Sequence, residues 1–325
     1  NRLRECLISL SNSGQTQGLP AGALERFDLE QVPLDFPPLE SASSIARHLL
    51  PLPEVPAGEG NAVLTKRLQR LKPALADDDA LQMIEQMQGG EAASVKIAEW
   101  EQAFETLTRQ LNGWLFTRGS RGSGWMTSSI IRRQAALRIL ECWRTGLSGN
   151  GAVTDAVLDL NGLQLGDLPE VPAMFEHVGT LKLTSVKLTR RGSDGFLKAF
   201  TRLKTLDLNG NGLDGIPEPV RSMDGLERLE MSSNRITDAE QLYAALDNLD
   251  VLRWLDLSYN ELDAFDIGNF ERLETLDLRN NNLTEWPDGV FDSPHLGTLN
   301  LSGNDITSIP VQALNGDHEV LMAGT

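Results

Sequence analysis

A row of acidic residues recurs through the second half of the chain, each placed between two large apolar residues. Its members are Asp159, Asp207, Glu230, Asp256 and Asp277. Two such carboxylates can act as general acid and general base when their surroundings hold the two pKa values apart. Strands stack about 4.8 Å apart, and the row is predicted to face water, so nothing in the sequence separates the pKa values. The row therefore does not favour glycosidase-like chemistry.

Other reactive residue types are few and scattered. The chain has two cysteines, Cys6 and Cys142, and four histidines. Two cysteines cannot form a disulfide framework or a closed zinc site, and no histidine stands at metal-ligand spacing. The glycine-rich stretch 116–125 lacks the Gly-Lys-Ser/Thr ending of a phosphate-binding loop. We expect no metal, no cofactor and no catalytic centre in this chain.

The element that positions the acidic row is a repeat with the pattern L-x-x-L-x-L-x-x-N-x-L. Its second leucine recurs every 21 to 26 residues, at Leu158, Leu181, Leu206, Leu229, Leu255, Leu276 and Leu299. This period and pattern predict about seven leucine-rich repeats. Each repeat contributes one short strand, and the strands are predicted to lie parallel on the concave face of an α/β solenoid.

An asparagine follows the predicted strand in five of the seven units. These residues are Asn211, Asn234, Asn260, Asn281 and Asn304. Their amides can bond turn groups of the backbone that would otherwise be buried without partners, so we interpret them as a structural ladder. Leu163 and Val186 take this place in the first two units, which we interpret as the N-terminal edge of the solenoid.

Three side chains per repeat are predicted to face outward from the strands. Those we expect to bind a partner are Asp207, Arg228, Glu230, Trp254, Asp256, Tyr259, Asp277 and Arg279. Exposed aromatic side chains beside charges are typical binding hot spots, and an acidic groove suits a basic protein. The alternative is that the acidic row only keeps the concave face soluble.

The charge of the chain is concentrated in the repeats. The formal net charge is -17; residues 151–325 carry 13 Lys and Arg against 29 Asp and Glu, and residues 1–150 carry 16 against 17. This acidity argues against nucleic acid or an anionic membrane as the partner. The sequence also has no run of about 18 apolar residues, so no membrane span is predicted.

The chain is predicted to have three parts. Residues 1–60 form an irregular, proline-rich segment in which 24–34 fit one isolated repeat. Residues 61–150 form a small helical domain whose tryptophans pack its core, an aromatic binding pocket being the alternative. Residues 151–325 form the leucine-rich-repeat domain, which we expect to be truncated at its C-terminal end because the last residues read as the opening of another strand.

The helical domain is expected to cap the solenoid. Its segment 117–144 contains six arginines and one acidic residue, Glu141. An uncapped solenoid exposes its core and its strand edge. We therefore expect the basic segment 117–144 to dock on the acidic repeats by charge, in which case added salt should loosen the contact.

Three stretches carry a family resemblance: Leu-Asn-Gly-Trp-Leu-Phe-Thr-Arg-Gly at 111–119, Arg-Ile-Leu-Glu-Cys-Trp-Arg at 138–144, and Leu-Asp-Leu-Asn-Gly-Leu-Gln-Leu at 158–165. They resemble the large leucine-rich-repeat proteins of pseudomonads. Those proteins resemble bacterial effectors whose repeats precede a novel-type (NEL) E3 ubiquitin ligase domain. In that family the ligase uses a cysteine followed two places later by aspartate. Neither Cys6 nor Cys142 has that neighbour, so no catalytic residue is carried over.

The resemblance implies that this chain is the substrate-recognition or autoinhibitory part of a secreted ubiquitin ligase with its catalytic cysteine elsewhere in the parent. It also implies a virulence role, with delivery into the host cytoplasm, a host protein as partner, and contact with a ligase domain. The alternative is an intramolecular clamp or scaffold in a large bacterial toxin-like protein without ligase activity.

Overall fold

The computed structural model describes residues 60–115, 129–149, 155–172, 174–268, 270–314 and 319–321. The predicted isolated repeat at 24–34, Cys6 and the glycine-rich stretch 116–125 lie outside these residues.

Four helices precede the repeats, as predicted. They are α1 (Asn61–Leu71), α2 (Asp77–Gln86), α3 (Gly90–Leu115) and α4 (Ser129–Thr145). In α3 the buried positions recur at steps of three and four through Ile97, Trp100, Phe104, Leu107, Leu111 and Trp114, which is the amphipathic pattern of a helix with one apolar face. Trp100, Trp114 and Trp143 are all buried, and Trp143 lies against Phe104, with 5.9 Å between the ring centroids.

The turn between α2 and α3 contains two consecutive glycines. Helix α2 ends at Gln86, and both Gly89 and Gly90 have positive φ, at 68° and 44°. This left-handed backbone suits glycine and closes the end of a helix. Gly90 also begins α3, so the reversal takes few residues.

The repeats form one parallel sheet of eight short strands in sequence order. The strands are β1 (Ala156–Asp159), β2 (Val178–Lys182), β3 (Thr205–Asp207), β4 (Arg228–Glu230), β5 (Trp254–Asp256), β6 (Thr275–Asp277), β7 (Thr298–Asn300) and β8 (Glu319–Leu321). The repeated leucine of each strand faces that of the next, from Leu158↔Leu181 to Leu276↔Leu299. None of these leucines is more than 1% exposed. The predicted leucine-rich-repeat solenoid is confirmed.

The return segments differ with the length of the repeat. The two longest intervals between repeated leucines contain helices α5 (Asp194–Leu197) and α6 (Ala239–Leu246). Two of the shorter repeats return through single 3₁₀ turns, Glu218–Ser222 and Val290–Asp292. The extra residues are therefore accommodated on the return side, and the register of the strands is preserved.

Each ladder asparagine lies at the end of a strand and is at most 8% exposed. Asn260 is representative. Its Nδ2 donates to Leu257 O of its own repeat and to Met231 O of the preceding repeat, both at 2.9 Å, and its Oδ1 accepts from Ile236 N at 3.1 Å. One amide therefore satisfies buried backbone groups in two neighbouring repeats.

Helix α4 lies beside β1, at the N-terminal edge of the sheet. Hydrogen bonds to backbone oxygens cross this junction: Arg138 Nη1 donates to Asp159 O at 2.9 Å, and Trp114 Nε1 donates to Asp167 O at 2.9 Å. His177 Nε2 lies 2.8 Å from Cys142 O, and burial lowers the pKa of His177 although this hydrogen bond acts in the opposite direction. These three contacts end on backbone carbonyls, and the docking of segment 117–144 by charge stays a prediction.

Candidate protein-binding face

The predicted binding residues lie on four adjacent strands, β3 to β6, or, for Tyr259 and Arg279, just after a strand. In the sheet, Glu230 is paired with Asp207 on one side and with Asp256 on the other, and Asp256 is paired in turn with Asp277. Because parallel strands are about 4.8 Å apart, these carboxylates form one continuous row. The row runs across the middle of the concave face.

Asp207 contributes least to the surface, since only 9% of the residue is exposed. Its carboxylate accepts hydrogen bonds from Thr184 Oγ1 at 2.5 Å and from Asn209 N at 3.0 Å. Burial raises the pKa of Asp207, and the charge of Glu230 acts in the same direction, while these two hydrogen bonds oppose it. The structure thus places Asp207 within the wall of the face, with little area for a partner.

Glu230 is bound within a small cluster of side chains. Arg228 Nε donates to Glu230 Oε1 at 2.6 Å, and Asn209 Nδ2 donates to Glu230 Oε2 at 3.0 Å. The same guanidinium lies over the indole of Trp254, with 3.9 Å between Arg228 Cζ and the ring centroid. Trp254 remains 36% exposed. The cation is therefore shared between a carboxylate and an aromatic face.

Asp277, at the other end of the row, forms an ion pair with Arg279. Arg279 Nε lies 3.4 Å from Asp277 Oδ2, and Asn300 Nδ2 lies 3.3 Å from the same oxygen. Burial and the charge of Asp256 raise the pKa of Asp277, while the Arg279 charge and its hydrogen bonds oppose this. The Arg279 guanidinium also lies 5.6 Å from the ring centroid of Tyr259.

Asp256 lies between these two clusters. Its Oδ1 accepts from Ser258 N at 2.9 Å, and the residue is half-buried. Across the described ranges, no Lys or Arg forms an ion pair with Asp256.

A column of left-handed residues borders the face, which the sequence analysis did not identify. Its members are Gly162, Ser185, Gly210, Ser233, Tyr259, Asn280 and Gly303, all with positive φ. The sequence signal for this column was that Gly, Ser or Asn recurs at the same position of six repeats. Tyr259 departs from it, with φ of 54° and 51% exposure. A left-handed backbone costs a residue with a Cβ about 1–2 kcal/mol, and an exposed ring regains little of this by packing.

Ser258, two residues after Asp256, is fully buried. Its hydroxyl donates to Ser232 Oγ at 3.0 Å, in the preceding repeat. The strand has already begun to turn inward at this position, so the exposed surface passes from Asp256 directly to Tyr259.

The described residues show the following chemical character. No group of three or more His, Cys, Asp and Glu in them is placed to hold a metal ion. Burial raises the pKa of the Cys142 thiol to about 12, so the thiol is neutral and a poor nucleophile near pH 7. None of the helices in these ranges combines the length and apolar character needed to cross a membrane.

The fold and the concave face define a leucine-rich-repeat protein-binding module. The leucine rich repeat family model matches residues 201–262 and 271–317. Similar proteins include Tsukushi of Mus musculus, 32% identical over 122 residues, which are 37% of this chain and 34% of that protein. Podocan-like protein 1 of Mus musculus is 32% identical over 163 residues, 49% of this chain and 24% of that protein.

A plant relative and two solved structures are also similar. The calmodulin-binding receptor kinase CaMRLK of Arabidopsis thaliana is 34% identical over 133 residues, 40% of this chain and 20% of that protein. Internalin C2 of Listeria monocytogenes has a TM-score of 0.42 at 19% identity, covering 57% of this chain and 91% of that one. The GASSHO1/SCHENGEN3 ectodomain of Arabidopsis thaliana has a TM-score of 0.40 at 27% identity, covering 49% and 20%. The chain spans about a third or less of the three curated relatives named here.

Proposed function

We propose that the concave face around Trp254, Asp256 and Tyr259 is where this module binds its protein partner. The observation that carries the proposal is the exposure of two aromatic side chains on either side of a carboxylate, within one repeat. Aromatic residues dominate the energetics of protein interfaces, and their burial by a partner would remove apolar area from water. The acidic row favours a partner with a basic surface.

Charge reversal on two sides of the solenoid tests this proposal. The concave variant carries Glu230→Lys and Asp256→Lys. The matched control carries Asp250→Lys and Glu271→Lys, two exposed residues of the return segments, so that both variants undergo the same change in composition and net charge. Proteins from a host-cell lysate that bind the native chain should be lost with the concave variant and retained with the control. Equal capture by both variants would refute the concave face as the binding site.

For the parent protein, we propose the role of a secreted bacterial effector in which this module selects the substrate of an E3 ubiquitin ligase domain or restrains that domain. The support is the resemblance of three stretches, of which 138–144 lies in α4 and 158–165 begins in β1. Delivery into host cytoplasm and a host partner belong to the same proposal. Ubiquitin transfer by the full-length parent, abolished by replacing the cysteine of a Cys-x-Asp motif, is the test. A parent without that motif or that activity would favour the alternative of a clamp on its own domains.

A further inference from the structure

The concave face carries one negative charge that has no counterpart within its own cluster. Of the four carboxylates in the row, Asp207 is almost buried beside Thr184, and the other three, Glu230, Asp256 and Asp277, stand in register on adjacent strands. Two guanidiniums accompany them: Arg228 is bound to Glu230, and Arg279 lies beside Asp277. The five groups together leave one negative charge, and its position is Asp256, the carboxylate in the middle.

The surroundings of Asp256 match a flat cation in particular. Trp254 lies two residues before it on the same side of the strand, roughly 6.5 Å away along the chain, and Tyr259 follows where the strand has turned. The two rings already attract guanidinium groups of the protein itself, at 3.9 Å over Trp254 and 5.6 Å over Tyr259. A guanidinium can stack on an aromatic ring while its N–H groups bond a carboxylate, whereas the ammonium of lysine is a compact, strongly hydrated charge.

The backbone of Tyr259 gives independent support. At the equivalent position the other six repeats have Gly, Ser or Asn, and every one has a left-handed backbone. A large aromatic residue is unfavourable there, and its half-exposed ring gains little packing within the chain. Backbone strain of this kind concentrates at sites of function. The strained tyrosine is on the same repeat as the unbalanced aspartate.

Resting on the proposed function of the concave face, we infer that Asp256, Trp254 and Tyr259 form a pocket for one arginine side chain in an extended segment of the partner protein. The arginine forms a hydrogen-bonded pair with Asp256 and lies between the two rings. Arg228 and Arg279 do not repel it strongly, because their charges are balanced by Glu230 and Asp277. The pocket therefore recognises one residue of the partner, and the rest of the concave face contributes contact area.

The probe is a library of random linear peptides of about twelve residues, selected on the full chain. Selected peptides should contain arginine. Replacing that arginine with citrulline, which keeps the shape and removes the charge, should weaken binding about tenfold or more. Replacing it with lysine should weaken binding at least about threefold, since planarity and the paired N–H groups are lost.

Two variants of the protein separate this inference from the broader proposal. Asp256→Asn keeps an oxygen for Ser258 N and should weaken the arginine peptides about as much as citrulline does. Asp263→Asn, the same change at an exposed position of the same repeat, should have no effect. If binding is lost with Trp254→Ala but unchanged by citrulline and by Asp256→Asn, the arginine pocket is overturned and the concave face remains the binding site. Binding indifferent to all of these variants, or selection of no peptide, would overturn the pocket, and indifference to Trp254→Ala would also count against the concave face.

Discussion

Replacing one ladder asparagine should destabilise the solenoid far more than replacing the asparagine beside it. Asn281 is 6% exposed, and Asn282 is exposed. The Oδ1 of Asn281 accepts from Leu262 N at 3.1 Å, and its Nδ2 donates to Leu257 O at 3.0 Å and Leu278 O at 2.9 Å. The perturbation is Asn281→Ala, with Asn282→Ala as the matched control.

The magnitude follows from what each backbone group retains. In Asn281→Ala the two carbonyls keep a second donor, since Asn260 Nδ2 also bonds Leu257 O and Asn304 Nδ2 also bonds Leu278 O. Their loss is that of ordinary hydrogen bonds, about 0.5–1.5 kcal/mol each. The Leu262 N–H loses its partner and stays buried, at about 1–3 kcal/mol. The free energy of unfolding should therefore fall by roughly 2–6 kcal/mol in Asn281→Ala, against less than about 0.5 kcal/mol in Asn282→Ala.

The assay is urea unfolding followed by far-ultraviolet circular dichroism, with the slope and the midpoint fitted separately. Hydrogen exchange of the Leu262 amide gives a local measurement that does not assume two-state unfolding of a repeat array. This amide should exchange faster in Asn281→Ala and be unaffected in Asn282→Ala. Equal losses of stability in the two variants would refute the ladder as a source of stability, and so would an unchanged Leu262 amide.

Four further outcomes are expected. Tyr259→Asn should raise the free energy of unfolding by about 1 kcal/mol in urea, because Asn tolerates a left-handed backbone; a loss would show that the tyrosine ring stabilises the fold. The folded-state pKa of Asp207 is raised, so its protonated carboxyl stabilises the folded chain at low pH, and this stabilisation is lost as pH rises through that pKa. The free energy of unfolding of Asp207→Asn should therefore increase relative to that of the native chain over the same pH rise; a difference in stability that does not change with pH would contradict this. The Cys142 thiol, in a Cys6→Ser background, should react with a disulfide reagent only after denaturant is added, since it is buried with a pKa of about 12; rapid native labelling would contradict its burial. Hydrogen exchange of α4 amides should change little up to about 1 M salt, because Trp114 Nε1 and His177 Nε2 contact backbone oxygens across the junction; strong acceleration by salt would support docking by charge.

The sequence predicted the solenoid well because its signal is local and repeated. The inward leucines, such as Leu206 and Leu229, alternate with outward residues within three positions, and the same arrangement recurs in every unit. Seven copies of one pattern also determine the strand order, since each unit can bury its apolar side only against its neighbours. The helical region was predictable for a similar reason, since the apolar face of α3 repeats over six positions of one continuous helix.

The binding face was less predictable, because the state of each outward side chain depends on residues one repeat away. Asp207 is withdrawn from the surface by Thr184, 23 residues earlier, and Ser258 turns inward to Ser232, 26 residues earlier. Neither partner is adjacent in sequence, and neither pair has a pattern that repeats. A column of outward residues can be read from the period, but its exposure and its hydrogen bonds cannot.

The same dependence on neighbouring repeats changes what an acidic row means. In the sequence, the row from Asp207 to Asp277 suggests a uniformly negative groove. In the structure, Asp207 is almost buried beside Thr184 of the preceding repeat, and Arg228 and Arg279 form ion pairs with Glu230 and Asp277. Coulomb attraction at the surface falls off within about a Debye length, so a partner at close range interacts with the carboxylate that lacks an ion pair rather than with the total charge of the row. That carboxylate is Asp256, which lies on the repeat with the two exposed rings. Selectivity should therefore depend on this one carboxylate more than on the net charge of the domain.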